Sequence, residues 1–238
     1  MSIVEYIEHF IDNNGVKIHA IEFNPSVDGI PLVMVPGMGN AAEEIAETVG
    51  ELLTRHTIAL SLRGRGKSDS PVEGWRLEDQ ASDIVAVVKH FGFLQIALFG
   101  HSTGGSIAAR ALPMIPAEVV AYIIGDFPLK YPPYGEKWRQ RVKEQMAFLP
   151  ITDVALKGIV RDAEYTDVFD YLKAVSSNLM AITGDPEKSL LKPDDIARLE
   201  QMFPLIKIER LDGCSHEFLS DAPVRSVEVI ERFITHRS

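Results

Sequence analysis

One serine of this chain lies in a pattern that could support nucleophilic chemistry. Residues 100–104 read Gly-His-Ser-Thr-Gly, which matches G-x-S-x-G with Ser102 at its centre. The pattern follows an apolar run at 96–99 and precedes a segment rich in small residues at 105–111. This order predicts a strand, a sharp turn and a helix, with the hydroxyl of Ser102 displayed at the carboxyl end of the strand. The two outer glycines would avoid the side-chain clashes of so sharp a turn.

A serine hydroxyl needs a neighbouring base before it can attack a carbonyl carbon at neutral pH. Seven histidines could provide it. Only His216 lies in a loop directly after a late predicted strand, at the sheet edge where Ser102 would be displayed. His101 is adjacent to Ser102 in the sequence, but we expect its side chain to point elsewhere. The spacing therefore favours His216 as the base.

The rest of the chain alternates between short apolar runs and amphipathic segments. Strands are predicted at residues 4–11, 16–23, 32–35, 57–62, 96–99, 119–124, 179–183 and 206–210, and helices from about residue 41 with Asn40 as cap, at 77–91 and around 227–234. The first two strands are joined by Asn13-Asn14-Gly15, a strong hairpin signal. The later alternation predicts an α/β fold with a mostly parallel sheet and helices on both faces.

The alternation is interrupted once, between residues 127 and 177. This stretch contains no convincing strand, and its helical patterns lie around 136–148 and 163–177. We interpret it as a small helical cap inserted into a core formed by residues 1–126 and 178–238. Its aromatic residues would pack the cap or line an apolar acyl pocket; they are Tyr131, Tyr134, Trp138, Phe148 and Phe169.

Composition narrows the class of protein. The 238 residues carry a formal net charge of −10, and 46% of them are hydrophobic. An acidic chain is a poor partner for nucleic acid, which needs a basic face. The single cysteine permits neither an intrachain disulfide nor a cysteine-based metal site. No apolar run approaches the ~20 residues that span a bilayer, and the first residues do not read as a signal peptide. We therefore expect a cytoplasmic protein that needs no cofactor or metal and binds neither nucleic acid nor membrane.

Four stretches, taken in order, resemble the α/β-hydrolase superfamily across almost the whole chain. They are Pro36–Gly39, the basic run Arg63–Ser68, the serine motif at 100–104 and the loop at 213–216. The resemblance implies an α/β-hydrolase fold and the chain order serine, acid, histidine. It also implies that the basic run is a structural turn. The run could suggest phosphate binding, but it does not open a clear helix.

The acid that would orient His216 has three candidates. By resemblance it should follow the strand that ends at Thr183, which favours Asp185, directly after the strand and followed by proline. Asp126 ends the preceding strand, a position that some family members use. Glu187 lies three residues after Gly184, the spacing of the usual family pattern. Asp185 is preferred to Asp126, and Glu187 comes third.

Acyl transfer also needs donors for the developing oxyanion. The backbone N–H of Thr103, directly after the serine, is one candidate, and the resemblance supplies the N–H of Met38 as the second. Together these residues predict a serine hydrolase, most simply a carboxylesterase that cleaves small to medium acyl esters. Serine at this position argues against the family's epoxide hydrolases and haloalkane dehalogenases, which use aspartate there.

Two alternatives stay open at this point. A lactonase or a carbon–carbon bond hydrolase would use the same machinery. A small-ligand receptor on the same scaffold would hold the same residues with little turnover. The oligomeric state is not predicted.

Overall fold

The strands and helices below come from a computed structural model that describes residues 5–144 and 149–236. Within these ranges the strands are β1 (Ile7–Asn13), β2 (Val16–Phe23), β3 (Leu32–Val35), β4 (Thr57–Leu60), β5 (Gln95–His101), β6 (Glu118–Gly125), β7 (Lys130–Tyr131), β8 (Thr166–Asp167), β9 (Leu179–Thr183) and β10 (Lys207–Arg210). The α-helices are α1 (Ala42–Val49), α2 (Leu77–Phe91), α3 (Thr103–Ala111), α4 (Glu136–Glu144), α5 (Asp153–Asp162), α6 (Pro193–Met202), α7 (Phe218–Asp221) and α8 (Pro223–Thr235). Short 3₁₀-helices lie at Gly50–Leu52, Leu112–Met114 and Phe169–Val175.

Eight strands form one sheet in the order β1-β2-β4-β3-β5-β6-β9-β10. β2 pairs antiparallel with β1 and β4, and all the other pairs are parallel. The carboxyl ends of β3, β5, β6 and β9 therefore meet at one edge of the sheet. Loops that follow these strands are where an open α/β sheet places its ligand site.

Helices cover both faces of the sheet, as the alternating pattern predicts. On one face α2 and α3 bury Ile84, Val88 and Ile107 against the strands. On the other face α1 and α8 bury Ile45 and Ile230. The central strand β3 is apolar along its whole length because both of its faces are covered.

Two local expectations are refined. The β1–β2 hairpin turns on Asn14 and Gly15, both with positive φ, while Asn13 still pairs with Val16. The expectation that Asn40 caps α1 is wrong, since Ala41 is the residue before the helix. The Glu44 carboxylate accepts the N–H of Ala41 at 2.9 Å and the amide of Asn40 at 3.1 Å, so Asn40 donates where a cap would accept.

The segment at 127–177 differs in detail from its prediction. Among its described residues, none joins the eight-stranded sheet, and β7 and β8 form a separate two-stranded ribbon. The expected helix at 163–177 is wrong, because this stretch holds β8 and a 3₁₀-helix. The pattern also missed α5. Thr152 caps that helix by accepting the N–H of Ala155 at 3.1 Å, a signal readable in the sequence. That the segment acts as a cap stays a prediction.

The basic run at 63–68 is a buried turn. Arg63 pairs with Asp83 at 2.6 Å, and Arg65 is fully buried. Lys67 lies at the surface and pairs with Glu8. The two arginines are enclosed by protein groups, so the run is not arranged to bind phosphate.

Along the part of the chain that the structure describes, no helix is both long and apolar enough to cross a bilayer.

Candidate active site

Ser102 lies at the turn between β5 and α3, as the motif predicts. Its φ is 55° and its ψ is −135°, a strained backbone for a residue with a side chain. The N–H of Gly105 closes the turn on the carbonyl of Ser102 at 2.9 Å. A Cβ on Gly100 would lie 2.6 Å from the Cα of Gly105, and one on Gly104 would lie 2.3 Å from the carbonyl oxygen of Pro36. Only glycine fits either position.

His216 reaches this turn from the loop after β10. Its Nε2 lies 2.9 Å from the Oγ of Ser102. The two residues are 114 positions apart in the chain, and parallel strands bring them to the same edge. The structure thus places together the serine and the histidine that the sequence paired.

Asp126 completes the line of hydrogen bonds. It follows β6 with a φ of 49° and is fully buried, and its Oδ2 lies 2.8 Å from the Nδ1 of His216. Burial by itself would raise the pKa of Asp126. Hydrogen bonds from His216, the N–H of Leu190 at 3.0 Å and the hydroxyl of Thr183 at 3.0 Å outweigh it and lower that pKa below its usual value.

An ionised Asp126 determines the tautomer of His216. A carboxylate only accepts hydrogen bonds, so the Nδ1 of His216 carries the proton. Its Nε2 then has a free lone pair, which accepts a hydrogen bond from the hydroxyl of Ser102. This is the tautomer in which a histidine can act as a base.

The preference for Asp185 is corrected by the geometry. Its carboxylate accepts the N–H of Gly213 at 3.0 Å and the ammonium of Lys188 at 3.3 Å, and these contacts lower its pKa. Both ring nitrogens of His216 are already engaged, by Ser102 and Asp126. Asp185 therefore anchors the loop that carries the histidine and does not contact the histidine.

Glu187, the third candidate, is exposed to solvent. The turn after β9 explains why neither Asp185 nor Glu187 contacts His216. It directs Asp185 toward Gly213 and leaves Glu187 outside, while Asp126 ends a neighbouring strand that lies closer to Ser102.

The two expected oxyanion donors flank Ser102. Thr103 is the first residue of α3, so its N–H has no acceptor within its own helix. Met38 lies in the turn after β3, where the N–H of Asn40 donates to the carbonyl of Gly37 at 3.2 Å. A Cβ on Gly37 would lie 3.2 Å from the Cβ of Ser102, so this turn directly abuts the serine. Thr103 directly follows the serine, and Met38 directly follows the glycine that abuts it, so their N–H groups stay candidate oxyanion donors.

His101 is a contact residue that the sequence did not assign to the site. Its ring stacks on His216, with centroids 4.8 Å apart, and its Nε2 donates to the carbonyl of His216 at 2.9 Å. Burial and the neighbouring His216 ring lower the pKa of His101. A neutral His101 therefore holds the His216 loop in place through this hydrogen bond and the ring stacking. The sequence offered one indication of this role, namely that His101 directly precedes Ser102.

The aromatic set divides between two places. The hydroxyl of Tyr134 lies 3.3 Å from the Oγ1 of Thr103, and its ring packs on Trp138 at 4.3 Å between centroids. Tyr131 lies beside Tyr134 at 5.5 Å. Phe169 instead stacks on Phe203. Phe148 lies outside the described residues.

Within residues 5–144 and 149–236, no group of three or more histidine, cysteine, aspartate or glutamate side chains is arranged to hold a metal ion.

Comparison with known proteins places the chain among relatives of the same architecture. A soluble epoxide hydrolase from Corynebacterium sp. (strain C12) is 31% identical over 105 residues, which is 44% of this chain and 36% of that protein. A putative esterase/lipase from Haemophilus influenzae is 23% identical over an alignment covering 94% of this chain and 93% of that one. The chain thus spans about a third of the first relative and nearly all of the second.

A solved structure and a family profile agree on the fold. The crystal structure of esterase RhEst1 from Rhodococcus sp. ECU1013 superposes with a TM-score of 0.80 at 19% identity, covering 98% of this chain and 99% of that one. At this identity the likeness concerns the fold alone. The sequence profile of the α/β hydrolase fold matches residues 30–150, just over half of the chain. The chain belongs to the α/β-hydrolase fold family.

Proposed function

We propose that this protein is a serine hydrolase that cleaves carboxylic esters of small to medium acyl groups. Ser102 is the nucleophile, His216 the general base and acid, and Asp126 the carboxylate that orients the histidine. The observation that carries the proposal is the continuous line from Asp126 through His216 to Ser102, with distances of 2.8 and 2.9 Å. This is the arrangement that activates a serine hydroxyl.

The first half of the reaction forms an acyl-enzyme. The Oγ of Ser102 bonds to the ester carbonyl carbon while its proton passes to the Nε2 of His216, and the carbonyl electron pair moves onto oxygen. The N–H groups of Met38 and Thr103 stabilise that oxyanion. Its collapse breaks the bond to the alcohol, which leaves with the proton from His216.

The second half regenerates the enzyme. Water adds to the acyl carbon as His216 takes one of its protons. Collapse of the new oxyanion breaks the bond to Ser102, whose oxygen recovers the proton from His216. A carboxylic acid is released, and no cofactor takes part in either half.

The residues around the serine support an apolar acyl group. Met38, Tyr134 and Trp138 all pack against the apolar cluster around Trp75. The hydroxyl of Tyr134 is engaged by Thr103, so the ring presents mainly apolar surface. A serine nucleophile also separates this chain from the epoxide hydrolases among its relatives, because an epoxide hydrolase of this family uses aspartate at that position.

Active-site labelling tests the proposal. A fluorophosphonate probe, followed by mass mapping, should modify Ser102, and p-nitrophenyl acetate and butyrate should be turned over. Ser102→Ala should abolish both signals. Ser106→Ala, which removes a buried hydroxyl four residues along, is the matched control and should retain both.

Other outcomes have defined meanings. Label on a residue other than Ser102 would refute the nucleophile assignment. Tight ligand binding with negligible turnover would favour a receptor. Turnover dependent on Ser102 that is faster on lactones than on open esters would move the substrate class and keep the mechanism.

A further inference from the structure

Arg65 carries a buried positive charge without a carboxylate partner among residues 5–144 and 149–236. Its side chain is fully buried, and burial lowers the pKa of its guanidinium. A buried cation is costly unless it is paired and hydrogen-bonded. The guanidinium is hydrogen-bonded only to neutral groups, so its charge is not cancelled by direct contact.

Arg63, two residues earlier, shows what a structural arginine looks like in the same turn. It forms a bidentate pair with the buried carboxylate of Asp83, at 2.6 to 3.1 Å, and donates to the carbonyl of Gly74 at 2.7 Å. The turn is thus already anchored by a compensated ion pair. A second arginine is not needed for that purpose, and an apolar side chain would fill the space without the cost of desolvation.

The contacts of Arg65 converge on the oxyanion turn. Its Nε donates to the carbonyl of Met38 at 3.0 Å, and its Nη2 lies 2.9 Å from the sulfur of the same residue. The remaining donors reach the carbonyl of Arg63 at 2.7 Å and the side-chain oxygen of Gln80 at 2.9 Å. Gln80 in turn donates to the hydroxyl of Tyr131 at 2.8 Å.

One contact of Arg65 and one bond within the turn together hold the two peptide planes around Met38. The plane after Met38 is held by Arg65 through the Met38 carbonyl. The plane before it is held by the bond from the N–H of Asn40 to the carbonyl of Gly37. Because the N–H of a trans peptide points opposite to its carbonyl, the Gly37 carbonyl sets the direction of the Met38 N–H. Arg65 acts on the next plane and fixes the Met38 backbone from its carbonyl side.

We infer that Arg65 is a positioning residue of the oxyanion hole. It orients the backbone of Met38 and places a positive charge, with no carboxylate in direct contact, behind the turn where negative charge develops on the substrate. A charge of this sign, held in place before the reaction, favours the oxyanion over the neutral ester. The inference rests on the proposed esterase function, because it needs an oxyanion to form at Ser102.

Binding of a transition-state mimic provides the test. An aryl trifluoromethyl ketone adds to the serine and carries an oxyanion in the adduct, so its inhibition constant reports on the hole separately from substrate binding. Arg65→Met should lower kcat by about ten-fold or more and weaken the ketone by a similar factor, with KM changed less than about two-fold. Arg65→Lys keeps the charge but loses the planar fork, and should fall between Met and wild type.

Arg63→Lys is the matched control, since it makes the same change in the neighbouring buried arginine. It should lower the melting temperature while kcat and the ketone constant stay within about two-fold of wild type. If Arg65→Met does not fold, the two lysine variants decide: weaker ketone binding by Arg65→Lys alone supports the inference. Equal ketone affinity in both, or wild-type affinity in Arg65→Met, overturns it. Wild-type protein without Ser102-dependent turnover would instead refute the proposed function.

Discussion

Asp126 is fully buried and accepts hydrogen bonds from four donors, which favour its anionic form. Leu191 adds its N–H at 3.3 Å to the bonds from His216, Leu190 and Thr183. Donors of this number stabilise a buried carboxylate, and they also fix the direction in which it faces His216. Asp185 has donors as well, but they belong to the loop and to a surface lysine.

The acid assignment is tested by two matched amide substitutions. Asp126→Asn should lower kcat by roughly a thousand-fold or more, because an amide at this position no longer enforces the productive tautomer of His216. Asp185→Asn should keep kcat within about three-fold of wild type, since it removes only loop contacts. Ester hydrolysis by the two purified variants provides the comparison. A large loss in Asp185→Asn with normal activity in Asp126→Asn would reverse the assignment.

His101 makes stability depend on pH in a direction that its pKa determines. Burial lowers the pKa of His101 in the folded protein below the unfolded value near 6.5. Below that value the unfolded chain takes up a proton that the folded site resists, so the free energy of unfolding falls as the pH falls. One such group contributes a slope of at most about 1.4 kcal/mol per pH unit.

Replacing the ring should flatten this dependence. His101→Gln keeps an N–H donor for the carbonyl of His216 but cannot take up a proton near neutral pH. We expect a smaller decrease in the free energy of unfolding between about pH 7 and 5 than in wild type, measured by urea titration. His236→Gln, at an exposed position, is the control for the substitution itself. An unchanged slope in His101→Gln would contradict the burial argument.

At the scale of secondary structure, the β5–α3 connection depends on close backbone approach. Gly104→Ala would bring a methyl group to 2.3 Å from the Pro36 carbonyl, and the neighbouring group is backbone that cannot rotate away. Overpacked sites typically lose about 1–3 kcal/mol of stability, occasionally more. Because the clash here is with backbone, we expect a loss at the upper end of that range or a failure to fold.

Gly135→Ala is the control, because a Cβ at Gly135 meets no atom within 4 Å. Its melting temperature should stay close to that of wild type, since a surface change away from special contacts has an effect of about ±0.5 kcal/mol. Thermal unfolding followed by circular dichroism separates the two variants. If Gly104→Ala were as stable as Gly135→Ala, the backbone of the turn between β5 and α3 would have to shift enough to admit the methyl group.

For the molecule as a whole, the 127–177 segment is joined to the core in two ways. Residues such as Leu129, Tyr131 and Phe169 belong to an apolar cluster of the sheet, whereas α5 packs in a smaller cluster around Trp75. Trp75 packs with Ile151, Ala155, Leu156 and Ile159, all buried. Backbone bonds add to this join: the N–H of Gly66 donates to the carbonyl of Pro150 at 2.7 Å. Because the buried residues of the Trp75 cluster are few and belong to neither cluster of the sheet, we expect that α5 can be loosened without unfolding the sheet.

Truncation of a buried residue in α5 tests this separation. Leu156→Ala removes a fully buried side chain and should cost about 2–5 kcal/mol locally. Amide hydrogen exchange should quicken in α5 and around Trp75 while β5 and β6 remain protected. Val154→Ala, on the exposed side of the same helix, should leave exchange unchanged. Uniformly faster exchange throughout the sheet would mean that the segment and the core unfold together.

Local patterns in the chain sufficed for the strands, the hairpin and the serine turn. β3, β9 and α2 lie where the patterns place them, because apolar periodicity reports burial within one element. Gly100 is likewise required by a clash with a near neighbour, since its Cβ would lie 2.6 Å from the Cα of Gly105, whereas Gly104 is required by the distant Pro36. The helix at 163–177 was predicted wrongly, since short amphipathic patterns do not distinguish a 3₁₀-helix with a two-residue strand from an α-helix.

The identity of the acid and the contacts of Arg65 depend on groups distant in the chain. Asp126 and Asp185 follow adjacent strands, β6 and β9, and both are plausible from spacing alone. Which carboxylate contacts His216, 90 residues from Asp126, depends on how the two loops pack at the sheet edge. Hydrogen-bond lengths vary by only about half an ångström, so a small shift of either loop would change the partner. The residue types and their spacing therefore predict the kind of chemistry proposed for this chain. Which carboxylate contacts His216 is decided only by how distant loops pack at the sheet edge.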